Sequence, residues 1–403
     1  MNLAPAFRCQ VLVVGSGPGG ADLARRLARA QVEVLLVDRL PDLSQAAFSS
    51  AALPLAAIER LELPAQVVAS RWSQWQLLGP GEQRRGWASD RPLGVVLEFG
   101  ALRQWLADEA RGWGADLLLG ATAQGCQPVA AGMCTRLRLP GGGRTEVISD
   151  WVVDATGQER GLIGDPAPGR DPLVEGLGVE WLIELPPERW QPWADRLSFC
   201  LGSDWVPQGY GWVFPMQPGQ LKVGVCRLMD PASPQPALGP LLARLISRLG
   251  LGDHRVLDRH GGLIRSTIGR RESHRRGRLM ALGDAVSTAN LLGGEGIRHA
   301  MTSSQVLAPL LAEALRHPTR ADHLMDLYPK RLRRALGWRW GLSGRLARRT
   351  WLGLRNSQAD RRLDGLLRGL ERKNRAEDLS ALLFDYRFER YGLRALPDLL
   401  GWR

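Results

Sequence analysis

The chain has 403 residues, 44% hydrophobic and 23% charged, with 53 Lys and Arg against 41 Asp and Glu. That length exceeds one ordinary core and predicts two or more globular lobes, while no apolar run reaches the roughly 20 residues that a bilayer-spanning helix needs. The five cysteines are scattered, odd in number and without CxxC or Cys/His spacing, which argues against a disulfide framework or a zinc site and for buried thiols in a reducing cytoplasm.

Ten residues precede the first apolar strand, too few for a signal peptide, so export is not expected. Residues 11–14 form a short apolar run that ends in Gly15-Ser16-Gly17-Pro18-Gly19-Gly20, and 21–29 then carry apolar residues at helical spacing. Residues 32–37 read as a second strand closing on Asp38 and Arg39. This is a βαβ unit, and it predicts a parallel pair of strands. In Gly15-x-Gly17-x-x-Gly20 the first glycine permits a tight turn, the second lets backbone approach a pyrophosphate, and the third allows close packing of helix on strand. Pro18 begins the helix whose N-terminus faces that negative charge. Asp38 stands where a carboxylate accepts hydrogen bonds from the ribose hydroxyls of an adenosine. Taken singly, each glycine is an ordinary turn and Asp38 a solvated strand end; their order and spacing favour a dinucleotide site.

Residues 102–113 read as a helix, 117–119 and 147–155 as strands, the latter ending at Thr156-Gly157. The segments 181–184, 197–201, 211–214 and 221–227 are short, alternating and rich in aromatics, with Pro-Gly at 218–219 as a turn, and predict antiparallel strands of a second lobe. A proline-rich connector at 231–240 leads into a helix at 241–249, and 270–278 reads as an exposed basic loop. A strand at 279–282 then runs into Gly283-Asp284-Ala285, and Gly294-Glu295-Gly296-Ile297 opens a long helix at 297–315. From 316 to 403 there are 21 Lys and Arg against 10 Asp and Glu, so nearly all of the net +12 sits in this stretch. Its apolar periodicity and its tryptophans at 338, 340, 351 and 402 predict several short amphipathic helices. No recognition motif accompanies the charge, so nucleic-acid binding is not expected.

A second glycine-rich strand-to-helix junction has no role in a simple nicotinamide dehydrogenase, and it selects FAD as the ligand. Asp284 is placed for a ribityl or phosphate-linked hydroxyl. Gly294 and Gly296 open a helix whose amides stabilise negative charge on a reduced isoalloxazine. The expected fold is α/β: a Rossmann-type FAD-binding lobe from residues 1–45, 92–165 and 262–315, an inserted and mostly antiparallel β substrate lobe from 46–91 and 166–261, and a basic helical tail at 316–403.

The ensemble resembles the FAD-dependent geranylgeranyl reductases, similar in fold to para-hydroxybenzoate hydroxylase. The matching residues are Gly15, Gly17, Gly20 and Asp38, the segment Leu97 to Arg103, Asp154-Ala155-Thr156-Gly157, Gly209-Tyr210-Gly211-Trp212-Val213-Phe214-Pro215, Gly283-Asp284-Ala285 and Gly294-Glu295-Gly296-Ile297. The resemblance implies that Arg103 contacts the flavin nucleotide, and that FAD reduces double bonds of an isoprenoid or prenyl lipid with NADPH or a reduced redox protein as electron donor. Even spacing puts Tyr210, Trp212 and Phe214 on one face of a strand. That face is either plain core or, as the resemblance implies, the wall of an apolar substrate site. The same fold also serves flavin monooxygenases acting on aromatics or polyenes, and two further readings are a non-redox isomerase like lycopene cyclase and a lipid-binding flavoprotein without turnover.

Three positions depart from the family. Leu291 stands where the family has proline, Arg298 where hydroxylases have asparagine, and Phe48-Ser49-Ser50-Ala51-Ala52 where reductases carry a cysteine and glycines. No proton donor stands out, and His254, His260, His274 and His299 lack metal spacing. The tail has two readings: a contact with an anionic membrane surface that delivers a lipid, or a set of helices capping the flavin lobe with solvated arginines.

Overall fold

In a computed structural model, which describes residues 7–45, 49–167, 169, 171–373 and 375–388, the apolar run at 11–14 lies within strand Phe7–Val14 inside an eight-stranded sheet. Val34–Asp38 and Arg144–Asp154 run parallel to it on either side, and Asp116–Leu119 and Leu279–Ala281 extend the parallel set outwards. Strands covered on both faces lose polar alternation, and Val11, Leu12, Val13 and Val14 are all buried. Thr122–Val129 and Gly132–Arg138 add an antiparallel arm, so the sheet is mixed around a parallel centre.

Helix Pro18–Arg29 follows the first strand, with proline in its first turn and Arg26 and Arg29 in its last, both of which suit the helix termini. It packs against helix Ile297–Arg316. The approach is close because Gly19 has no side chain: a Cβ there would lie 2.6 Å from Leu282 Cδ1 and 3.2 Å from the Ala300 carbonyl oxygen. Asp22, buried in this contact, pairs with Arg25 and Arg26 at 2.8 Å and accepts from the Ser304 hydroxyl, so its charge is not left uncompensated.

The second lobe is a seven-stranded sheet in the spatial order Arg255–Ser266, Val174–Glu184, Gln220–Leu228, Gly209–Pro215, Arg196–Leu201, Gln74–Leu78, Arg84–Ala88. Its pairs are antiparallel apart from Arg196–Leu201 with Gln74–Leu78. Alternation divides it into two faces. Val213, Val223 and Val225 meet helix Leu238–Arg248 on one; Tyr210, Trp212 and Phe214 point from the other. A three-stranded sheet of Ala52–Pro54, Gly94–Leu97 and Val68–Trp72 joins the lobes. Leu53, Leu61, Val67 and Leu97 sit in the core of the nucleotide lobe, whereas Trp72 and Val96 belong to that of the second.

The tail folds into helices Ala321–Leu336, Arg339–Gly353, Ser357–Lys373 and Ala376–Leu383. Of these, Ala321–Leu336 caps the nucleotide lobe, burying Met325, Tyr328 and Leu332. The other three close over the aromatic face of the seven-stranded sheet, where Trp351, Leu367, Leu370 and Leu379 meet Trp72, Trp75 and Tyr210. Among the described residues no helix is long and apolar enough to cross a membrane. Phe48 and Trp402, which the sequence reading used, lie outside the described residues.

The segment 270–278 corrects an expectation: it is not a simple exposed loop. Arg270 and His274 are buried, and Arg270 Nε donates to the Val286 carbonyl at 3.0 Å. Arg275–Arg276 pairs as a strand with Leu279–Ala281, and Arg275 forms ion pairs with Asp322 and Asp326. Arg270 turns inwards to a backbone carbonyl and Arg275 is half-buried against the acids of the following helix, while Arg271, Arg276 and Arg278 stay exposed. Burial, reinforced by the nearby Arg270 charge, drives the His274 pKa down to about 3, so the ring is neutral.

Candidate functional site

The three glycines of the first junction are held for different reasons. Gly15 has φ +110°, and a Cβ on it would lie 2.2 Å from the Ala155 carbonyl oxygen; one on Gly20 would lie 2.0 Å from the Gly15 carbonyl oxygen. Both contacts are internal to the fold. Gly17 is the exception, with no protein atom within 4 Å of the place a Cβ would take. Its neighbour Ser16 has a buried hydroxyl without a hydrogen-bond partner. Open space and an unpaired buried donor at a helix N-terminus are the furniture of an anion site, and a pyrophosphate fits them.

Asp154, from the second motif, organises the turn beneath Gly15. Its carboxylate accepts from the Thr156 amide and hydroxyl at 3.0 and 2.6 Å and from the Leu162 and Ile163 amides at 2.8 and 2.7 Å. Asp38 accepts from the Ser16 amide at 2.6 Å and the Leu40 amide at 2.8 Å. Each carboxylate oxygen thus already has a backbone partner and keeps a free lone pair. Arg103 is buried on helix Phe99–Gly112, and its Nη1 donates to the Gln45 carbonyl at 3.4 Å. Burial lowers its pKa against the stabilising charge of Asp38, which puts the two side chains in one electrostatic neighbourhood. Arg39, beside Asp38, is exposed.

At the second junction Gly283 has φ +63°, and its amide donates to the Ser303 hydroxyl at 3.0 Å. Asp284 accepts from the Thr288 hydroxyl at 3.0 Å, and burial pushes its carboxyl pKa upwards. Gly294 has φ +65°, and the Asn290 amide donates to the Glu295 carbonyl at 2.8 Å across the loop. Gly296 caps the helix that begins at Ile297, and a Cβ on it would stand 3.6 Å from Asp284 Oδ1. The two halves of the junction are therefore in contact.

A cavity of about 280 Å³ is lined by Pro18 just after the first junction and by Asp284, Gly294, Gly296 and Ile297 of the second, whereas Gly15, Gly17, Gly20, Asp38, Arg39, Arg103 and Gly283 do not line it. Tyr210, Trp212 and Phe214 line it from the sheet, and Leu291 from the loop. A second cavity of about 230 Å³ adjoins it, sharing Ser49, Tyr210, Phe214, Gly294, Ile297 and Trp351. Its remaining wall is largely hydrocarbon from the tail helices, including Leu346, Leu363, Leu367, Leu370, Leu379 and Leu382.

The aromatic triplet is both core and wall. Tyr210 lies 5.0 Å from Trp351, Phe214 5.3 Å edge-on from Phe199, and Trp212 Nε1 donates to Glu180 at 2.8 Å. Glu180 is buried, and that burial raises its pKa. Sequence reasoning missed Phe199, Trp351 and the leucines of 363–382 as wall residues. Their helical or alternating spacing announced a buried face but not which surface it would meet. It also missed Arg160, whose guanidinium donates to the Ala285 carbonyl at 2.5 Å and the Ser287 hydroxyl at 2.9 Å and so supports the loop after Asp284. Arg298, a departure from the family, pairs with Glu295 at 3.0 Å and donates to the Phe384 carbonyl, while Tyr386 donates to the same Glu295 at 3.2 Å.

Residues 13–76 match a family model described as an NAD(P)-binding Rossmann-like domain. Among curated proteins, the chain is 28% identical over 337 residues to a digeranylgeranylglycerophospholipid reductase of Haloferax volcanii, covering 79% of each chain. It is 25% identical over 346 residues to a chloroplastic geranylgeranyl diphosphate reductase of Oryza sativa, covering 81% of this chain and 71% of that one. Among solved structures, a geranylgeranyl bacteriochlorophyll reductase-like protein of Thermoplasma acidophilum superposes with a TM-score of 0.80 at 22% identity, over 98% of this chain and 99% of the other.

Proposed function

We propose that this chain, a relative of the geranylgeranyl reductases, is an FAD-dependent oxidoreductase that adds hydrogen across the double bonds of an isoprenoid or prenyl lipid. One observation carries the reading: the cavity lined by Pro18 and by the second glycine junction adjoins an apolar cavity whose walls are aromatic rings and leucines. A polar cofactor end continuous with a hydrocarbon end suits a redox ligand facing a long apolar chain.

In this reading the Gly17 backbone and the Ser16 hydroxyl hold the pyrophosphate at the helix N-terminus, and Asp38 and Arg103 hold the adenosine end. Asp284 binds a ribityl hydroxyl. The amides at Gly294, Gly296 and Ile297 favour negative charge on the ring, as helix N-termini do. Bound FAD supplies the hydride. The protein's own part is to orient the double bond against Tyr210, Trp212 and Phe214 and to keep water out with the tail helices. NADPH or a reduced redox protein renews the electrons. The arginine-rich outer side of the tail, with Trp338 72% exposed and the Arg339 guanidinium 4.8 Å above its ring, meets an anionic membrane surface from which the lipid enters.

The test is reconstitution with FAD followed by anaerobic reduction and incubation with geranylgeranyl-bearing lipids. Mass spectrometry should show one added pair of hydrogens per reduced bond. A protein that stays colourless with FAD sinks the reading. An oxygen-dependent hydroxylated product replaces it with a monooxygenase, and an isomer of unchanged mass with a cyclase-like enzyme.

A further inference from the structure

We propose that Tyr210 is the proton donor of this reduction, its hydroxyl giving a proton to one carbon of the double bond while the other carbon accepts the hydride. The inference rests on the reductase reading above and adds the acid that the reading lacks.

Position singles out the residue. Tyr210 lines both cavities, and its hydroxyl oxygen stands beside the flavin-motif loop, 3.5 Å from where a Cβ on Gly294 would be. The hydroxyl is therefore at the seam between the cofactor end and the hydrocarbon end. Asp284 lines the cofactor-side cavity alone. Glu295 lines the apolar one alone, and its carboxylate is tied by Arg298 and Tyr386.

The surroundings keep the proton on the hydroxyl at the cost of acid strength, so donation must be concerted with arrival of the hydride. Gly209–Pro215 pairs with Gln220–Leu228 so that Cys226 lies directly opposite Tyr210, on the same face of the sheet. A thiol is a weak acceptor and competes little for the O–H. The ring is held by Phe199 at 5.8 Å, Trp212 at 6.0 Å and Trp351 at 5.0 Å, which aims the hydroxyl without a polar tether. Burial raises the phenol pKa well above its ordinary value of 10, so the group remains protonated at neutral pH.

The step balances. The π bond breaks, a C–H bond forms at one carbon with the hydride's electron pair, and a second C–H bond forms at the other with the proton from Tyr210 Oη. Reduced flavin is the reductant, and it ends oxidised. The tyrosinate recovers its proton from water once product has left.

The experiment uses FAD-loaded full-length protein, reduced anaerobically, with a geranylgeranyl lipid. Tyr210→Phe should load FAD and bind the lipid, read by quenching of tryptophan fluorescence, as the unaltered protein does. Its kcat should fall about 10²–10⁴-fold, the usual contribution of a positioned acid, with KM little changed. Replacement of Tyr210 by 3,5-difluorotyrosine, a more acidic phenol of nearly the same shape, should lower the pH at which kcat falls on the alkaline side, bringing into the measurable range a limb that burial holds well above pH 10 in the unaltered protein. A 3,5-difluorotyrosine profile as flat at alkaline pH as that of the unaltered protein, or a Tyr210→Phe protein that keeps kcat within about threefold, a margin far below that expected of a lost acid, overturns the proposal and leaves the reductase reading standing. An unaltered protein that reduces no prenyl lipid overturns both.

Discussion

At the scale of single residues, Gly15, Gly17 and Gly20 look alike in sequence and separate in space. Gly15 and Gly20 are required by atoms of the protein itself, whereas Gly17 borders open space. Gly17→Ser keeps a good helix N-cap and should leave stability within about 0.5 kcal/mol, as for a surface change. It should nevertheless weaken FAD binding by at least about tenfold, or about 1.4 kcal/mol, by filling the space of the pyrophosphate. Gly20→Ala should instead unfold the lobe at lower urea, because its Cβ collides with backbone at 2.0 Å. Equal flavin affinity in Gly17→Ser and the unaltered protein would remove the pyrophosphate from this position. The roles of the three glycines, the second facing a pyrophosphate, were legible because they reflect local backbone geometry; the atom that crowds Gly15 was not, because it belongs to Ala155, more than a hundred residues away. Asp38 makes the same point. Its place at the strand end was readable, but its two backbone donors follow from how the turn closes on it.

At the scale of elements, helix Ile297–Arg316 begins at the second glycine junction and is also the anchor of the tail. Arg298 looks like a lapse from the family pattern until the Phe384 carbonyl and Glu295 are seen around it. His299 continues the junction, edge-on to Trp340 at 4.8 Å. The start of this helix thereby fastens Phe384 and Tyr386 beside the apolar cavity. Arg298→Ala would strand the Glu295 carboxylate in a buried place, and removing one partner of such a pair costs about 3–5 kcal/mol. Limited proteolysis should then cut first around residues 376–388, and urea unfolding should begin earlier. Unchanged protection of that segment would show that apolar packing alone holds it. The tail's helical periodicity was legible in the sequence. Its destination was not, because an amphipathic face records only that it is buried, and three of the four helices chose the aromatic sheet over the flavin lobe.

At the scale of the whole molecule, charge and apolar surface are sorted to different sides of the tail. The leucines turn inwards to line a cavity, and arginines such as Arg345, Arg348 and Arg349 are exposed. If this side meets a membrane, the protein should sediment with vesicles of anionic phospholipid and not with those of phosphatidylcholine alone. Salt at about 1 M, where the Debye length is roughly 3 Å, should release it. Failure to bind anionic vesicles would leave the tail as a cap only. The amino-acid sequence by itself determined the βαβ unit, the two glycine junctions, the alternating strands of the second lobe and the helical character of the tail. These are written in backbone preferences and periodicities that act over a few residues. Only long-range packing brings Pro18 and the Gly283–Ile297 junction to one cavity, turns Arg270 inwards, and sets the tail helices as the wall of a hydrocarbon chamber beside Tyr210. Those outcomes depend on which buried faces meet, and a hydrophobic face carries no address: burial is non-directional, and shape and buried charge choose the partner.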